Sequence, residues 1–387
     1  MINLRGIILP GLLLAIFITA NVMGMGQIRE GHNCSLWAVI SDSLPDSVIY
    51  NHLIEYPNSL KNRSEWGDTD GWGIAAYDQF GEAPSIYRGG MRAFRDSSYD
   101  SVVDSLEDTT PEIILAHIRN CTSGCCCHLC DSIPDPHPFT RFKDGKSWSF
   151  IHNGYANIQM LYQLIGQPYL LDNPLSGSGI PECDPSDTSL VVDSELLFLY
   201  LLKNFEEFGW NVTNGIITAM LELIGANSRG LYNFIISDGY RLWVFCNGLP
   251  LYIHMDSTSN FDAAATLYPS ETQDNWYHLG NFELAILNSD DVPILIEPDY
   301  LPGDINGDDS VIGSDVTYGV RYFSMEGDVP PDSCYNDSTG SWLYSAADVN
   351  GDCRVIGSDI TYLVNFFRGQ NQGIKWCPET PPLTIPR

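Results

Sequence analysis

The sequence predicts an α+β protein, a layered domain of strands and helices followed by a small all-α module. Three observations carry this. Between residues 34 and 292, apolar strand-like runs give way to two helical stretches and then to more strands, a segregation that fits packed layers. From Asp304 a 20-residue segment occurs twice at an offset of 44 residues, with 13 of 20 positions identical. The 387 residues are 44% hydrophobic and 12% aromatic, enough for more than one core.

Residues 1–26 have a secretory-signal pattern, with Arg5 as a short basic region, an apolar run from Ile7 to Val22, then Gly24 and Gly26. An uncleaved membrane anchor is the rival reading, because the run approaches spanning length. Either way the body of the protein is expected to be secreted, periplasmic or at the cell surface. Residues 27–33 form a short polar pro-segment. In an oxidising compartment most of the 11 cysteines should pair, leaving one over. Acidic residues outnumber basic ones 49 to 19, for a formal charge of −30. That excludes a basic field for nucleic acid and fits a solvated acidic surface. Membrane contact is expected only if the N-terminal segment is uncleaved.

Strand alternation begins at Cys34-Ser-Leu-Trp, and residues 45–65 read as a surface helix. Asp70-Gly-Trp-Gly-Ile-Ala-Ala-Tyr77 is an apolar run behind a turn signal, hence a buried strand. Ile113 to Arg119 is another. Residues 120–147 are irregular and rich in Cys and Pro. Trp148 to His152 is a third strand, stopped by Asn153-Gly154. Ser194 to Phe208 and Asn214 to Ile224 have helical spacing. Leu231 to Ser237 and Leu242 to Cys246 pair around Asp238-Gly239, while Leu251 to His254 and Phe282 to Leu287 add strands. Residues 293–303 hold three prolines and a glycine and read as a linker. The tail from Pro378 reads as unstructured or extended.

Calcium takes six to eight hard oxygens, which a twelve-residue loop supplies from alternate positions. The first repeat offers Asp304, Asn306, Asp308, the Ser310 carbonyl and Asp315; the second offers Asp348, Asn350, Asp352, the Arg354 carbonyl and Asp359. Two calcium ions are therefore expected. Ile312 and Ile356 occupy the ninth positions and cannot ligate through a side chain. Asp309 and Cys353 stand at the sixth, where a left-handed backbone is needed and Cys is the poorer choice, so the second loop should bind more weakly. A pair of metal-free Asx turns is the bland alternative. Over about residues 302–369 this repeat resembles the type I dockerin domain, on the duplicated loops and the following helices with Tyr318/Tyr362 and Phe323/Phe367. The resemblance implies docking to a cohesin-like module through Gly313-Ser314 and Gly357-Ser358, with two orientations allowed by the near-symmetry. The insert carrying Cys334 and Trp342 is longer than the family's.

Within residues 34–290, five fragments occur in one order: Cys34-Ser-Leu-Trp, Asp70-Gly-Trp-Gly, Ala116-His-Ile-Arg119, His152-Asn-Gly154 and Asp193-Ser-Glu195. Singly they read as half a disulfide, a surface charge, a turn or a helix start. Jointly they resemble class II glutamine amidotransferase domains, which implies a four-layer αββα sandwich of the N-terminal-nucleophile hydrolase type. An N-terminal Cys uses its own α-amino group as base, and an Asn side chain with a Gly N–H can hold an oxyanion. By the resemblance, Cys34 is the nucleophile, Asn153 and Gly154 hold the oxyanion, Arg119 clamps the substrate carboxylate and Asp193 pairs its ammonium. His137 and Trp72 line the site. Residues ahead of Cys34 must be removed first. Cys121, Cys125, Cys126, Cys127, His128 and Cys130 suggest a metal site by density, or disulfides with Cys183 or within the loop. With no synthase domain following, hydrolysis of a glutamine, γ-glutamyl or peptide amide is expected. A non-catalytic binding module, or a carbohydrate-degrading enzyme without the paired carboxylates such chemistry needs, are the other readings.

Overall fold

Strand order explains why the central strands read as unbroken apolar runs. The computed structural model describes residues 34–66, 70–120, 137–176, 191–256, 259–289, 292–371 and 373–384. The N-terminal segment, the Cys121–Cys130 cluster and Cys183 lie outside the described residues. The strands of the large domain are β1 (Ser35–Ile40), β2 (Trp72–Tyr77), β3 (Ser85–Gly89), β4 (Ile113–Ile118), β5 (Phe139–Lys143), β6 (Lys146–Tyr155), β7 (Leu231–Ser237), β8 (Leu242–Phe245), β9 (Tyr252–His254), β10 (Asp262–Ala265), β11 (Trp276–His278), β12 (Leu284–Leu287) and β13 (Ile294–Ile296). One sheet runs β11-β9-β10-β1-β4-β2-β3, the other β13-β12-β8-β7-β6-β5, and neighbouring strands are antiparallel.

Three apolar clusters separate four layers. On the outer face of the first sheet, Trp37, Val39, Ile74 and Ile114 pack against α1 (Val48–Tyr50), the π-helical turn Asn51–Glu55, α2 (Leu60–Trp66) and α3 (Ser97–Thr109). Between the sheets, Leu36, Ala38 and Leu115 meet Ile151, Ile235 and Val244. On the far side, Phe150, Phe234 and Phe245 pack under α4 (Ile158–Ile165), α5 (Gln167–Asp172), α6 (Asp193–Glu207) and α7 (Val212–Ala226). Phe150 stacks on Phe198 of α6 at 5.1 Å, and full burial of a side chain this size contributes about 1.5–3 kcal/mol. All six residues of β1 are buried, because helices cover one face and the second sheet the other. The expected αββα layering is observed.

Several boundaries differ from the sequence reading. Asn153 and Gly154 do not stop a strand: β6 continues to Tyr155, held by β7, with Asn153 opposite Asn233 and Gly154 opposite Tyr232. The stretch 293–303 is not all linker, since β13 pairs with β12 at the sheet edge. The C-terminal module has helices α8 (Gly313–Phe323) and α9 (Gly357–Phe367) around a small core of Ile305, Val349, Ile360 and Leu363. It is not all-α, because the insert forms a hairpin, β14 (Cys334–Asn336) with β15 (Ser341–Leu343). Its tail is extended but well packed. Cys377 is bonded to Cys353, the Asp299 N–H donates to the Pro382 carbonyl, and Leu383 enters the α6–α7 core. Arg229 lies 4.6 Å over the Phe366 ring, and the Ile374 N–H donates to Ser228 Oγ at 2.9 Å. Among the described residues, no helix is long and apolar enough to cross a membrane.

Asp262 of β10, opposite Ile40, is 8% exposed, and its Oδ2 has no hydrogen-bond partner. Burial pushes its pKa up to about 7. A carboxyl raised in the folded state costs stability above that pKa, and the cost fades as pH falls and the proton is taken up. Asp262→Asn should therefore stabilise the protein at pH 8.5 by roughly 2–4 kcal/mol. In denaturant titrations the gain should shrink as pH falls from 7 towards 4.

Candidate active site

Cys34 immediately precedes β1. Because Ser35 pairs with Ile118, Cys34 falls beside the end of β4. Its Sγ lies 3.6 Å from the carbonyl oxygen and 3.4 Å from the amide nitrogen of Asn120. The Arg119 N–H donates to the Gly71 carbonyl, and the Asp70 N–H donates back to the Arg119 carbonyl. Three of the fragments thus meet at one end of the first sheet.

The two-residue period of a strand then assigns faces. Leu36 and Ala38 of β1 and Ile113 and Leu115 of β4 face the second sheet, which puts Cys34, His117 and Arg119 on that same inter-sheet face. On β6, Ile151 faces the first sheet and Phe150 the helices, so Asn153 also looks into the space between the sheets. Asn153 is 2% exposed. Its cross-strand neighbour Asn233 is pinned, donating to the Leu249 carbonyl at 2.7 Å and accepting from the Asn247 N–H at 2.8 Å. Gly154 has φ +156°, and a Cβ there would stand 2.0 Å from the Leu231 carbonyl oxygen. Only glycine brings the backbone that close. Arg119 is 6% exposed, which removes the surface-charge reading.

Two histidines wall this interior. His117 stacks on His137, with ring centroids 4.2 Å apart, and His137 packs edge-on against Phe139. Gly73 leaves room for the His137 carbonyl, which a Cβ would approach to 2.0 Å. Burial, reinforced for His117 by Arg119, pushes the His117 pKa down to about 3; burial and the neighbouring His117 hold His137 well below the ordinary range. Both rings are neutral at physiological pH, so neither adds a positive charge near Arg119.

Asp193 opens α6. Its Oδ2 accepts the Ala156 N–H at 2.7 Å and its Oδ1 the Ser194 N–H at 2.9 Å. The carboxylate is therefore fixed against the end of β6, two residues beyond Gly154. Trp72 belongs elsewhere. Its parity on β2 turns it to the opposite face of the sheet, where Nε1 donates to Asp96 Oδ2 at 2.9 Å and the ring packs on Tyr99. The expectation that Trp72 lines the site is corrected by this strand alternation.

The C-terminal loops repeat one pattern. Asp304 Oδ1 accepts from the Gly307 and Asp308 N–H groups and Oδ2 from Asp309; Asp348 does the same with Gly351, Asp352 and Cys353. Asp315 and Asp359 close the loops from the first turn of α8 and α9, accepting from Ile312 and Ile356. Asp309 and Cys353 both take the left-handed backbone, at φ 62° and 60°. All four closing and opening aspartates are at most 2% exposed. Among the described residues, no Lys or Arg pairs with them. Burial raises their pKa values, those of Asp348 and Asp359 to about 6. This donor set of buried hard oxygens suits a divalent cation such as calcium. Asp348 also lies close to the Cys353 and Cys377 sulfurs, but these are bonded to each other and offer no thiolate. Gly313, Ser314, Gly357 and Ser358 are exposed.

The pattern describing the class-II glutamine amidotransferases matches residues 50–259, more than half of the chain. The chain belongs to this family. Its similarity to putative glutamine amidotransferase YafJ of Escherichia coli is 27% identity over 188 residues, 46% of this chain and 60% of that protein. A putative glutamine amidotransferase of Haemophilus influenzae is 27% identical over 46% of this chain and 52% of its own length. An uncharacterized protein of Methanocaldococcus jannaschii is 29% identical over 49% of this chain and 45% of its own. The chain thus spans about half the length of the relatives it matches. Among solved structures, the class-II domain protein of Silicibacter pomeroyi aligns with 68% of this chain and 98% of its own, at 18% identity and a TM-score of 0.41. Glutamine phosphoribosylpyrophosphate amidotransferase from B. subtilis aligns with 68% of this chain and 48% of its own, at 18% and 0.43. The family match begins after Cys34, so the placement of that thiol rests on the geometry above.

His152 and Ser194 gave no functional signal in the sequence, since they sit inside the quoted fragments at apparent strand and helix positions. Trp72→Phe should lower stability by about 1–2 kcal/mol through the lost bond to Asp96. It should leave the reaction of Cys34 with a glutamine-like electrophile unchanged, and a parallel loss of labelling would return Trp72 to the site.

Proposed function

We propose that the large domain hydrolyses the side-chain amide of glutamine, or a related γ-glutamyl or peptide amide, through a Cys34 thioester. The observation that carries this is the meeting of Cys34 and Arg119 at one sheet end, on the face towards Asn153 of the opposing strand. Once the peptide bond before Cys34 is cut, its α-amino group takes the thiol proton and the sulfur attacks the amide carbon. The oxyanion is held by the Asn153 side chain and the Gly154 N–H. The C–N bond breaks, ammonia leaves with the proton, and water hydrolyses the thioester to the free acid. Arg119 offers a planar fork to the substrate carboxylate, and Asp193 offers its remaining lone pairs to the ammonium.

In this reading the mature secreted chain begins at Cys34, as mass spectrometry of its N-terminus should find. A diazoketone analogue of glutamine should then alkylate that residue, and Cys34→Ala should abolish labelling and glutamine hydrolysis. Mature protein that keeps residues 27–33 would sink the proposal.

A second reading concerns the tail, and the duplicated buried carboxylates favour it. The module takes two calcium ions in dockerin fashion, one in each loop, and presents Gly313-Ser314 and Gly357-Ser358 to a cohesin-like partner. When bound, the ions would supply the counter-charge that the aspartates lack, holding the loops against their own repulsion. Calcium at a hundred times its Kd should stabilise the module by about 2.7 kcal/mol for each loop it fills. Chelation should lower its melting temperature, and Asp348→Ala should remove half of the bound calcium. Melting indifferent to chelator would refute the metal.

A further inference from the structure

Asn153 and Gly154 are bracketed by two bonds to the start of α6. Ahead of them, His152 Nδ1 lies 2.9 Å from Ser194 Oγ; behind them, the Ala156 N–H reaches Asp193 Oδ2 at 2.7 Å. The other ring nitrogen, His152 Nε2, lies 3.0 Å from the Leu231 carbonyl, the same oxygen that abuts the Gly154 Cα. A carbonyl only accepts, so Nε2 carries the proton and Nδ1 accepts the Ser194 hydroxyl. Ser194 Oγ is also 3.5 Å from Asp193 Oδ1. His152 shares the parity of Phe150 on β6, which turns it to the helix layer and its Ser194 partner and away from the inter-sheet face of Asn153, so neither hydroxyl nor ring is placed to attack a substrate.

We infer that Ser194 and His152 form a positioning pair that sets the oxyanion donors in register with the ammonium acceptor. The inference rests on the amidohydrolase reading above. The physical need is plain. Oxyanion donors lie on β6, the ammonium acceptor lies on a helix from another layer, and a substrate must span both. Misplacement on the order of 1 Å costs a reaction about a hundredfold. His152 fixes Leu231 against Gly154, and Ser194 ties that ring to the residue next to Asp193. Ser194 and His152 touch no reacting atom.

The test compares mature wild type with Ser194→Ala and Ser194→Thr. For Ser194→Ala, kcat for glutamine should fall and KM should rise, together lowering kcat/KM roughly 10- to 100-fold, the range seen when an orienting partner is lost. Ser194→Thr keeps the hydroxyl and should recover activity to within about threefold of wild type, well short of that loss. Alkylation of Cys34 by iodoacetamide, which needs no oxyanion or ammonium site, should proceed equally in all three. Wild-type kinetics in Ser194→Ala would overturn the pair, as would a changed iodoacetamide rate at Cys34, the mark of a general disturbance of the fold. A mature wild type that ignores glutamine and its diazoketone analogue would instead overturn the amidohydrolase reading, and the pair's role with it.

Discussion

Contact between the two sheets is the constraint on which the site depends. Leu36, Ala38 and Leu115 from one sheet and Ile151, Ile235 and Val244 from the other fill that interface. The same alternation that buries them carries Cys34, Arg119 and Asn153 into the interior at its end. A one-residue slip in β1 or β6 would turn the thiol or the amide towards the helices. Hydrophobic packing therefore sets the chemistry's geometry, and the apolar core and the polar site are two ends of one set of strands.

Polar groups at that end are tolerated because they are either neutral or anchored. His117 and His137 avoid the cost of buried charge by staying unprotonated, stacked on each other. Asp193 stays fixed by spending its oxygens on backbone N–H groups, and Asn233 holds its strand through two backbone bonds. Glycine appears where backbone must touch backbone, at Gly73 and Gly154.

Much of this was legible from residue patterns. Strand alternation marked β1, continuous apolar runs marked β2 and β4, helical spacing marked α6 and α7, and the repeat marked the module. The left-handed sixth positions followed from the calcium-loop pattern, whose sixth residue is usually glycine. Other parts were hidden for physical reasons. The DAAA run of β10 has no strand propensity and becomes a strand because β1 and β9 supply partners on both sides. Asn153-Gly154 reads locally as a turn, and only pairing with β7 straightens it. Trp72 was misplaced because the sequence shows that it is buried but not which face buries it. The α3 helix did leave a signal, an Asp96 cap followed by Tyr99, Val103 and Leu106, and it went unread.

The threading of residues 373–384 back along the large domain has a mechanical consequence. Leu383 is packed among the α6–α7 residues, Trp376 rests on Phe282 and Gly225, and Cys377 is covalently joined to the second loop. Joined at both its entry and its exit, the module is no bead on a slack string. Load applied to it is delivered through Leu383 to the helix layer and from there to the α6 end that holds Asp193.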